Sequence, residues 1–175
     1  VMRNLNTRIG NKIGPDTGFD SMGDFSMAHS LSKFLDRLDS RDQLAKTIIY
    51  NLNPVYNDLI ASMIGNYQGG EIKGKLQLGT AWWFNDQLDG MSKQIAAVSN
   101  SGVLSTFVGM VTDSRSFLSY PRHDYFRRLI CNIFGQDIEV GILPSDFSLI
   151  GSTIKNICFN NAARYFEIPG IRPCN

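Results

Sequence analysis

Hydrophobic and polar positions alternate along this chain in blocks that predict strands followed by helices. Three short apolar runs, 47–50, 75–79 and 107–111, are flanked by polar or turn-forming residues. Such runs are typical of strands buried on both faces. They begin roughly 30 residues apart, which is the usual length of a βαβ unit. The pattern therefore predicts an α/β fold with parallel strands.

Apolar residues at helical spacing predict five helices, each with one buried face. Asn53 and Pro54 predict a capped helix start after the first strand, and Asp24 predicts the cap of the helix before it. Gly65 and Gly135 predict helix ends. The predicted core faces comprise Leu31, Phe34, Leu35, Leu38, Leu59, Ile60, Met63, Ile64, Met91, Ile95, Val98, Tyr125, Phe126, Leu129, Ile130, Ile133, Phe134, Phe147, Ile150, Ile154 and Ile157.

The composition and net charge of the chain limit the classes of function that it could have. The 175 residues are 43% hydrophobic with a formal net charge of +1, which fits one globular unit. This charge gives no electrostatic argument for binding nucleic acid or an anionic membrane. The apolar runs are far shorter than the roughly 20 residues of a membrane span. The three cysteines, Cys131, Cys158 and Cys174, lack metal-site spacing and predict reduced thiols in a cytoplasmic protein.

Three strand-like runs cannot close a barrel, for which eight strands are needed. An open sheet of three parallel strands would leave its hydrophobic edges exposed. We therefore expect the chain to be part of a larger fold. Residues 1–168 are predicted to belong to a single domain, and residues 169–175, with two prolines and a glycine, to form a loose C-terminal tail.

Polar residues that could take part in catalysis or binding directly follow the third apolar run. Asp113 and Arg115 are two residues apart, so both point to one side while the chain stays extended. A carboxylate beside a guanidinium can bind a metal or move a proton while the arginine holds an anionic substrate. The alternative interpretation is that Asp113 caps the following helix and Arg115 pairs with it.

Two further groups follow the other strands. Trp82, Trp83 and Phe84 come after the second run, where they either pack in the core or form an aromatic wall against a sugar ring. Asn51 follows the first run and could face a ligand, whereas Asn53 is predicted to be a helix cap. In a parallel sheet these groups would meet at one edge.

Several long strings resemble the uronate (glucuronate) isomerase family. They are Gly-Pro-Asp-Thr-Gly-Phe-Asp-Ser at 14–21, Trp-Trp-Phe-Asn-Asp at 82–86 and Thr-Asp-Ser-Arg-Ser-Phe-Leu-Ser-Tyr at 112–120. Residues 122–128 and 159–162 extend the resemblance, which runs in order from residue 1 to about residue 168.

The resemblance implies a fold and an activity. The expected fold is the C-terminal part of a (β/α)8 TIM-type barrel of the amidohydrolase superfamily. It would contain the end of strand 5, strands 6–8 with their helices, and a C-terminal helix. The implied reaction is aldose–ketose isomerisation of D-glucuronate to D-fructuronate and of D-galacturonate to D-tagaturonate through an enediol.

The resemblance also implies roles for individual residues. Asp113 matches a metal ligand or proton-transfer carboxylate, and Arg115 matches the arginine that contacts the sugar acid and the enediol. Trp82 or Trp83 would wall the pocket, and Arg3 is a candidate for binding the substrate carboxylate.

The expected cofactor is a divalent metal, zinc by resemblance. The His-x-His pair that binds it in the family is absent from this sequence, so the remaining metal ligands would lie outside this chain. We therefore expect this chain alone to be inactive. The expected partners are a sugar acid, the missing N-terminal part of the barrel, and further copies in a homo-oligomer.

Two other functions stay open at this point. One is a metal-dependent hydrolase of the same superfamily, and the other is a non-catalytic sugar-acid-binding or assembly subunit. Turnover of a uronate separates isomerase from hydrolase, and the metal content of a reconstituted complex separates both from the third.

Overall fold

The computed structural model describes residues 3–114 and 116–174. Four short strands span Arg3–Leu5 (β1), Asp20–Met22 (β2), Thr47–Ile49 (β3) and Leu76–Leu78 (β4). Seven helices in these residues span Thr7–Ile13 (α1), Ala28–Asp39 (α2), Asn57–Gly65 (α3), Leu88–Ser101 (α4), Pro121–Glu139 (α5), Phe147–Lys155 (α6) and Asn161–Phe166 (α7). A π-helical segment, Asn156–Asn160, joins α6 to α7.

Strands β3 and β4 pair in parallel, which confirms the first two predicted strands. Thr47 lies opposite Leu76, and Ile49 lies opposite Leu78. Helix α3 connects the two strands, so this part of the chain is a β–α–β unit. An isolated parallel bridge between Thr80 and Met110 brings the third apolar run alongside the end of β4.

The third apolar run is not a strand, so that prediction was wrong. Phe107 and Val108 are buried as expected, but Gly109 has a φ of 81°, which breaks the extended conformation. Asp113 also has a positive φ, of 47°. The premise that Asp113 and Arg115 point to one side of an extended chain therefore fails, and Arg115 itself lies outside the described residues.

The N-terminal region contains a pair of antiparallel strands that the hydrophobic pattern does not predict. β1 pairs antiparallel with β2, with Arg3 opposite Met22. Helix α1 lies between the two strands, and the side chain of Asn6 accepts a hydrogen bond from the backbone of Ile9 at its start. The strand pair is mostly polar, so sequence periodicity gave no signal for it.

Helix boundaries follow some predicted signals and not others. Asn53 accepts a hydrogen bond from the Val55 backbone at the start of the 3-10 turn that precedes α3, as predicted. Asp24 does not cap α2; it accepts a hydrogen bond from the Tyr56 hydroxyl instead. Helix α5 continues through Gly135 to Glu139, because one glycine inside a helix costs only about 1 kcal/mol.

The core forms between the helices and β4, largely from the predicted helix faces. Its fully buried members include Leu35, Ile60, Leu76, Leu78, Met91, Ile95, Phe107, Ile130 and Ile157. Three predicted core residues are instead exposed: Phe34 (59%), Tyr125 (44%) and Phe147 (76%). Phe34 and Tyr125 immediately precede the buried residues Leu35 and Phe126, and one step around a helix turns a side chain by about 100°.

The C-terminal tail contains no helix or strand in residues 169–174. Its end is nevertheless attached to the π-helical segment. The backbone N–H of Cys174 donates to Asn160 Oδ1 at 2.7 Å, and Asn160 Nδ2 donates to the Cys174 carbonyl at 3.1 Å. In the part of the chain that the structure describes, the helices are too short or too polar to cross a membrane.

Candidate functional site

A hydrogen bond joins two of the residues that the sequence singled out. Trp82 Nε1 donates to Asp113 Oδ2 at 3.0 Å. Trp82 follows β4, and Asp113 follows the apolar run that the bridge between Thr80 and Met110 holds against it. The parallel arrangement therefore brings the two segments together at the carboxyl end of β4, as in parallel α/β folds generally.

Aromatic rings extend from this hydrogen bond as a continuous surface. Tyr50, directly after β3, meets Trp82 edge to face with ring centroids 6.0 Å apart. Trp82 and Trp83 stack at 6.4 Å with an interplanar angle of 25°. Burial raises the pKa of the Tyr50 hydroxyl, so it is a neutral phenol at physiological pH. Both tryptophans are half-buried, which leaves part of each ring accessible.

Arg3 reaches the other end of this surface. Its guanidinium lies 4.8 Å from the ring centroid of Trp83, in a cation–π arrangement. It also forms an ion pair with Asp16 and lies 3.8 Å from Asp20 Oδ2. The positive charge of Arg3 is thus already balanced by carboxylates, and a substrate carboxylate would have to compete with them.

Asn51 is buried at 4% exposure and organises the loop after β3. Its Nδ2 donates to Asn57 Oδ1 and to the Asn53 carbonyl, both at 2.8 Å. Asn85 in turn donates from Nδ2 to the Asn51 carbonyl at 3.1 Å. Among the described residues the Oδ1 atom of Asn51 is buried and has no hydrogen-bond partner, so a ligand could contact it only if the surrounding loop moved.

Left-handed backbone conformations cluster in the two segments that form the site. Ala81, Phe84 and Asp113 have φ values of 63°, 60° and 47°. Each costs a residue with a Cβ roughly 1–2 kcal/mol, so the surrounding contacts must hold it in place. Gln94, 1% exposed on α4, provides one such contact, because its Oε1 accepts from the Ala81 N–H at 3.1 Å.

Sequence reasoning did not weigh two residues that hold these segments together. Arg122 Nη1 donates to the Thr112 carbonyl at 3.0 Å, and its Nη2 donates to Asp86 Oδ2 at 2.9 Å. Both Arg122 and Asp86 lie in the strings that carry the family resemblance, which was the available signal. Hydrophobic periodicity could not reveal them, since both are partly exposed polar residues.

Two cavities flank the aromatic surface. One of about 270 Å³ lies beside Trp82 and is lined by residues that include Tyr50, Asn51 and Tyr56. Another cavity of about 270 Å³ lies beside Trp83, and its lining includes the carboxylate of Asp16. Polar and aromatic groups that converge on small cavities are typical of ligand sites.

The donor set for a metal is incomplete in residues 3–114 and 116–174. They contain no group of three or more histidine, cysteine, aspartate or glutamate side chains that could hold a metal ion. Asp113 offers one carboxylate, oriented by Trp82. Protein metal sites that act in catalysis usually have three protein ligands, so Asp113 fits as one member of a larger set.

Comparisons with known proteins agree on one family. The family model for glucuronate isomerase matches residues 1–166. A uronate isomerase from Flavobacterium johnsoniae is 56% identical over 167 residues, which cover 95% of this chain and 36% of that protein. A uronate isomerase from Cellvibrio japonicus is 57% identical over 166 residues, covering 95% and 35%.

Part of a solved structure resembles this chain. The crystal structure of uronate isomerase from Thermotoga maritima matches with a TM-score of 0.81 at 28% identity, covering 94% of this chain and 35% of that one. The α/β fold therefore resembles that of uronate isomerases. The chain spans only about a third of the length of the curated relatives it matches, as the 36% coverage shows.

Proposed function

The chain belongs to the glucuronate isomerase family, and from that premise we propose that it supplies part of the active site of an aldose–ketose isomerase. The proposed substrates are hexuronates, with conversion of D-glucuronate to D-fructuronate and of D-galacturonate to D-tagaturonate. The observation that carries the proposal is the hydrogen bond from Trp82 to Asp113 beside an accessible aromatic surface.

The proposed architecture is the C-terminal portion of a (β/α)8 barrel formed by residues 1–168. The parallel β3–β4 pair and the bridge that continues it support this proposal. Catalytic groups of such barrels lie at the carboxyl ends of the strands, where Tyr50, Trp82 and Asp113 are found. The rest of the barrel, and the rest of the site, would come from outside this chain.

The reaction needs a group that moves a proton between C2 and C1, a group that stabilises the developing oxyanion and a group that binds the substrate carboxylate. Asp113 is the proposed carboxylate, as a proton carrier or a metal ligand. The indole N–H of Trp82 holds Oδ2 and so fixes the direction of the second oxygen. Arg115, which lies outside the described residues, is proposed to bind the sugar acid.

The aromatic surface and its flanking residues complete the proposed site. Trp82 and Trp83 present ring faces on which the apolar side of a sugar ring can stack. Arg3, which is paired with Asp16, would have to exchange that carboxylate for the one of the substrate, and Asn51 Oδ1 would have to be uncovered before it could accept a hydrogen bond. A divalent metal, zinc by family resemblance, would be held by Asp113 and by ligands outside this chain. When bound, it would stabilise negative charge on a substrate oxygen.

The decisive test is Asp113→Asn in the complete enzyme that contains this chain. We expect turnover of D-glucuronate to fall roughly 100-fold or more, because proton transfer by a positioned group contributes about that much. The amide keeps the size of the side chain, so circular dichroism and the melting temperature should stay close to those of the parent.

Asp42→Asn is a matched control for this test. Asp42 is also an exposed aspartate with a positive φ, of 53°, and it follows α2 rather than lying in the site. Turnover by this variant should equal that of the parent. Near-normal turnover by Asp113→Asn would refute the role of Asp113, and a parent enzyme that converts no uronate would refute the proposed activity itself.

A further inference from the structure

We propose that Arg122 is a positioning residue that fixes the backbone carrying Asp113 against the tryptophan segment. The inference rests on the proposed isomerase function and adds a determinant of its site. Its basis is a fork of hydrogen bonds from one guanidinium to both segments: Nη1 to the Thr112 carbonyl at 3.0 Å and Nη2 to Asp86 Oδ2 at 2.9 Å.

The two acceptors of Arg122 are placed where they control the site. The Thr112 carbonyl belongs to the peptide that immediately precedes Asp113, and Asp86 ends the string that begins at Trp82. The Trp82–Asp113 hydrogen bond joins the same two segments. Two separate attachments between segments fix their rotation as well as their separation, whereas one attachment would act as a hinge.

Arg122 is itself attached to a rigid element. It lies in the first turn of α5, next to Pro121 at the helix start. The same helix buries Phe126 and Ile130 in the core. The guanidinium therefore transmits the position of a packed helix to the Asp113 backbone, whose left-handed φ of 47° would otherwise relax toward a more favourable conformation.

The chemistry of the contact requires arginine. A guanidinium offers donors in a planar fork, so one side chain can bind a carbonyl and a carboxylate at once. Lysine presents a single ammonium group and cannot reproduce both directions. Arg122 and Asp86 have side-chain exposures of 31% and 40%, and ion pairs this exposed contribute little to stability. Loss of Arg122 should therefore affect turnover more than folding.

The test compares Arg122→Gln, Arg122→Lys and Asp86→Asn in the complete enzyme. We expect kcat to fall roughly 10- to 100-fold for Arg122→Gln with a small change in KM, since a misplacement of about 1 Å can cost 100-fold. Arg122→Lys should recover only part of this loss. Asp86→Asn should lose less, because the bond to the Thr112 carbonyl remains.

Arg128→Gln is the matched control, because Arg128 lies on the same helix and pairs with Asp124 at 2.8 Å on the surface. It should leave kcat, KM and the melting temperature unchanged. A second measurement needs no turnover: the 15N–1H signal of the Trp82 indole, assigned with Trp82→Phe. Arg122→Gln should shift this signal and speed its hydrogen exchange, and Arg128→Gln should do neither.

These measurements separate the two proposals. An indole signal that is unchanged in Arg122→Gln would overturn the positioning role, whatever happens to kcat. A loss of kcat matched by a loss of melting temperature, with an unmoved indole signal, would overturn it in favour of a purely structural contact. If the parent enzyme converts no uronate, the proposed function fails, and the indole signal still decides whether Arg122 positions Asp113.

Discussion

At the residue scale, the hydrogen bond between Trp82 and Asp113 lies among residues with strained, left-handed backbone conformations. Asp113 has a left-handed backbone, and so do Ala81 and Phe84 on either side of the tryptophan pair. Residues held in such conformations are over-represented at functional sites, where neighbouring contacts determine their position. The Trp82 indole N–H is one of those contacts, and it acts on the carboxylate itself.

Trp82→Phe tests this contact by keeping an aromatic ring and removing the N–H donor. We expect kcat to fall about 10-fold in the complete enzyme, because the carboxylate of Asp113 loses a hydrogen bond that fixes its orientation. KM should rise by less, since a ring face remains for the sugar. Steady-state kinetics with D-glucuronate measure both quantities.

Trp83→Phe is the control for the loss of an indole. Its ring stacks on Trp82 and lies under the Arg3 guanidinium, and phenylalanine keeps a face in both contacts. We expect this variant to change KM more than kcat. If the two variants show the same kinetic pattern, the hydrogen bond to Asp113 has no special role and only the aromatic surface matters.

At the scale of elements, hydrophobic periodicity predicted β3, β4 and the helices that flank them, because each buries a regular face. It did not predict the irregular backbone around the third run. Gly109 has a positive φ, which no apolar pattern encodes. The sequence predicts that helix α5 ends at Gly135, but the helix continues to Glu139. It ends just before Gly141, whose positive φ of 79° is typical of the glycine that terminates a helix.

The same distinction explains what could be predicted of the site. Asp113 and the tryptophans stood out because unusual residue types follow apolar runs. The Arg122 fork could not be found that way, since it depends on a contact between residues 36 positions apart in sequence. The sequence makes Asn51 a candidate for a ligand contact, yet its Nδ2 donates to the Asn53 carbonyl inside its own loop.

Gly109→Ala tests the backbone break. A Cβ at Gly109 would lie 2.6 Å from the Ile157 carbonyl oxygen, and its φ is 81°. We expect a loss of roughly 2–3 kcal/mol in the free energy of unfolding, from left-handed strain of about 1–2 kcal/mol together with the steric displacement. Urea denaturation of the complete protein measures it.

Gly135→Ala provides the contrast within α5. A Cβ at Gly135 meets no atom within 4 Å beyond its chain neighbours and the adjacent backbone of its own helix. Alanine should therefore stabilise the helix by roughly 0.5–1 kcal/mol. Equal effects from the two substitutions would contradict the strain expected for a side chain at Gly109.

At the scale of the whole molecule, the two ends of the parallel strand pair have different roles. The carboxyl ends carry Tyr50, Trp82 and the bridge to the Asp113 segment. The opposite ends are tied to the last helix: the Tyr165 hydroxyl donates to the Lys75 carbonyl at 3.0 Å, and Lys46 Nζ donates to the Tyr165 carbonyl at 2.7 Å. These contacts join positions 90 and 119 residues apart in sequence. We therefore expect these contacts to stabilise the edge away from Trp82 and Asp113.

Tyr165→Phe tests this separation through pH. Burial and, to a lesser extent, the electrostatic effect of the Tyr50 phenol raise the pKa of Tyr165 to about 12, above the usual value of about 10. The folded state therefore retains the proton more strongly than the unfolded state, and this contribution is present below about pH 10 and is lost as pH rises to about 12. Tyr165→Phe cannot titrate, so its stability should fall less steeply across that window.

At pH 7 we expect the phenylalanine variant to be about 1 kcal/mol less stable, because the Lys75 carbonyl loses its hydrogen bond. That difference should then narrow between about pH 10 and about pH 12, as urea titrations at successive pH values would show. Tyr125→Phe, at an exposed ring on α5, should follow the parent throughout. Since Tyr165 lies at the edge away from Trp82 and Asp113, its variant should keep the kcat and KM of the parent at pH 7. A lower kcat in a folded Tyr165→Phe enzyme would contradict the separation of stability and site between the two edges.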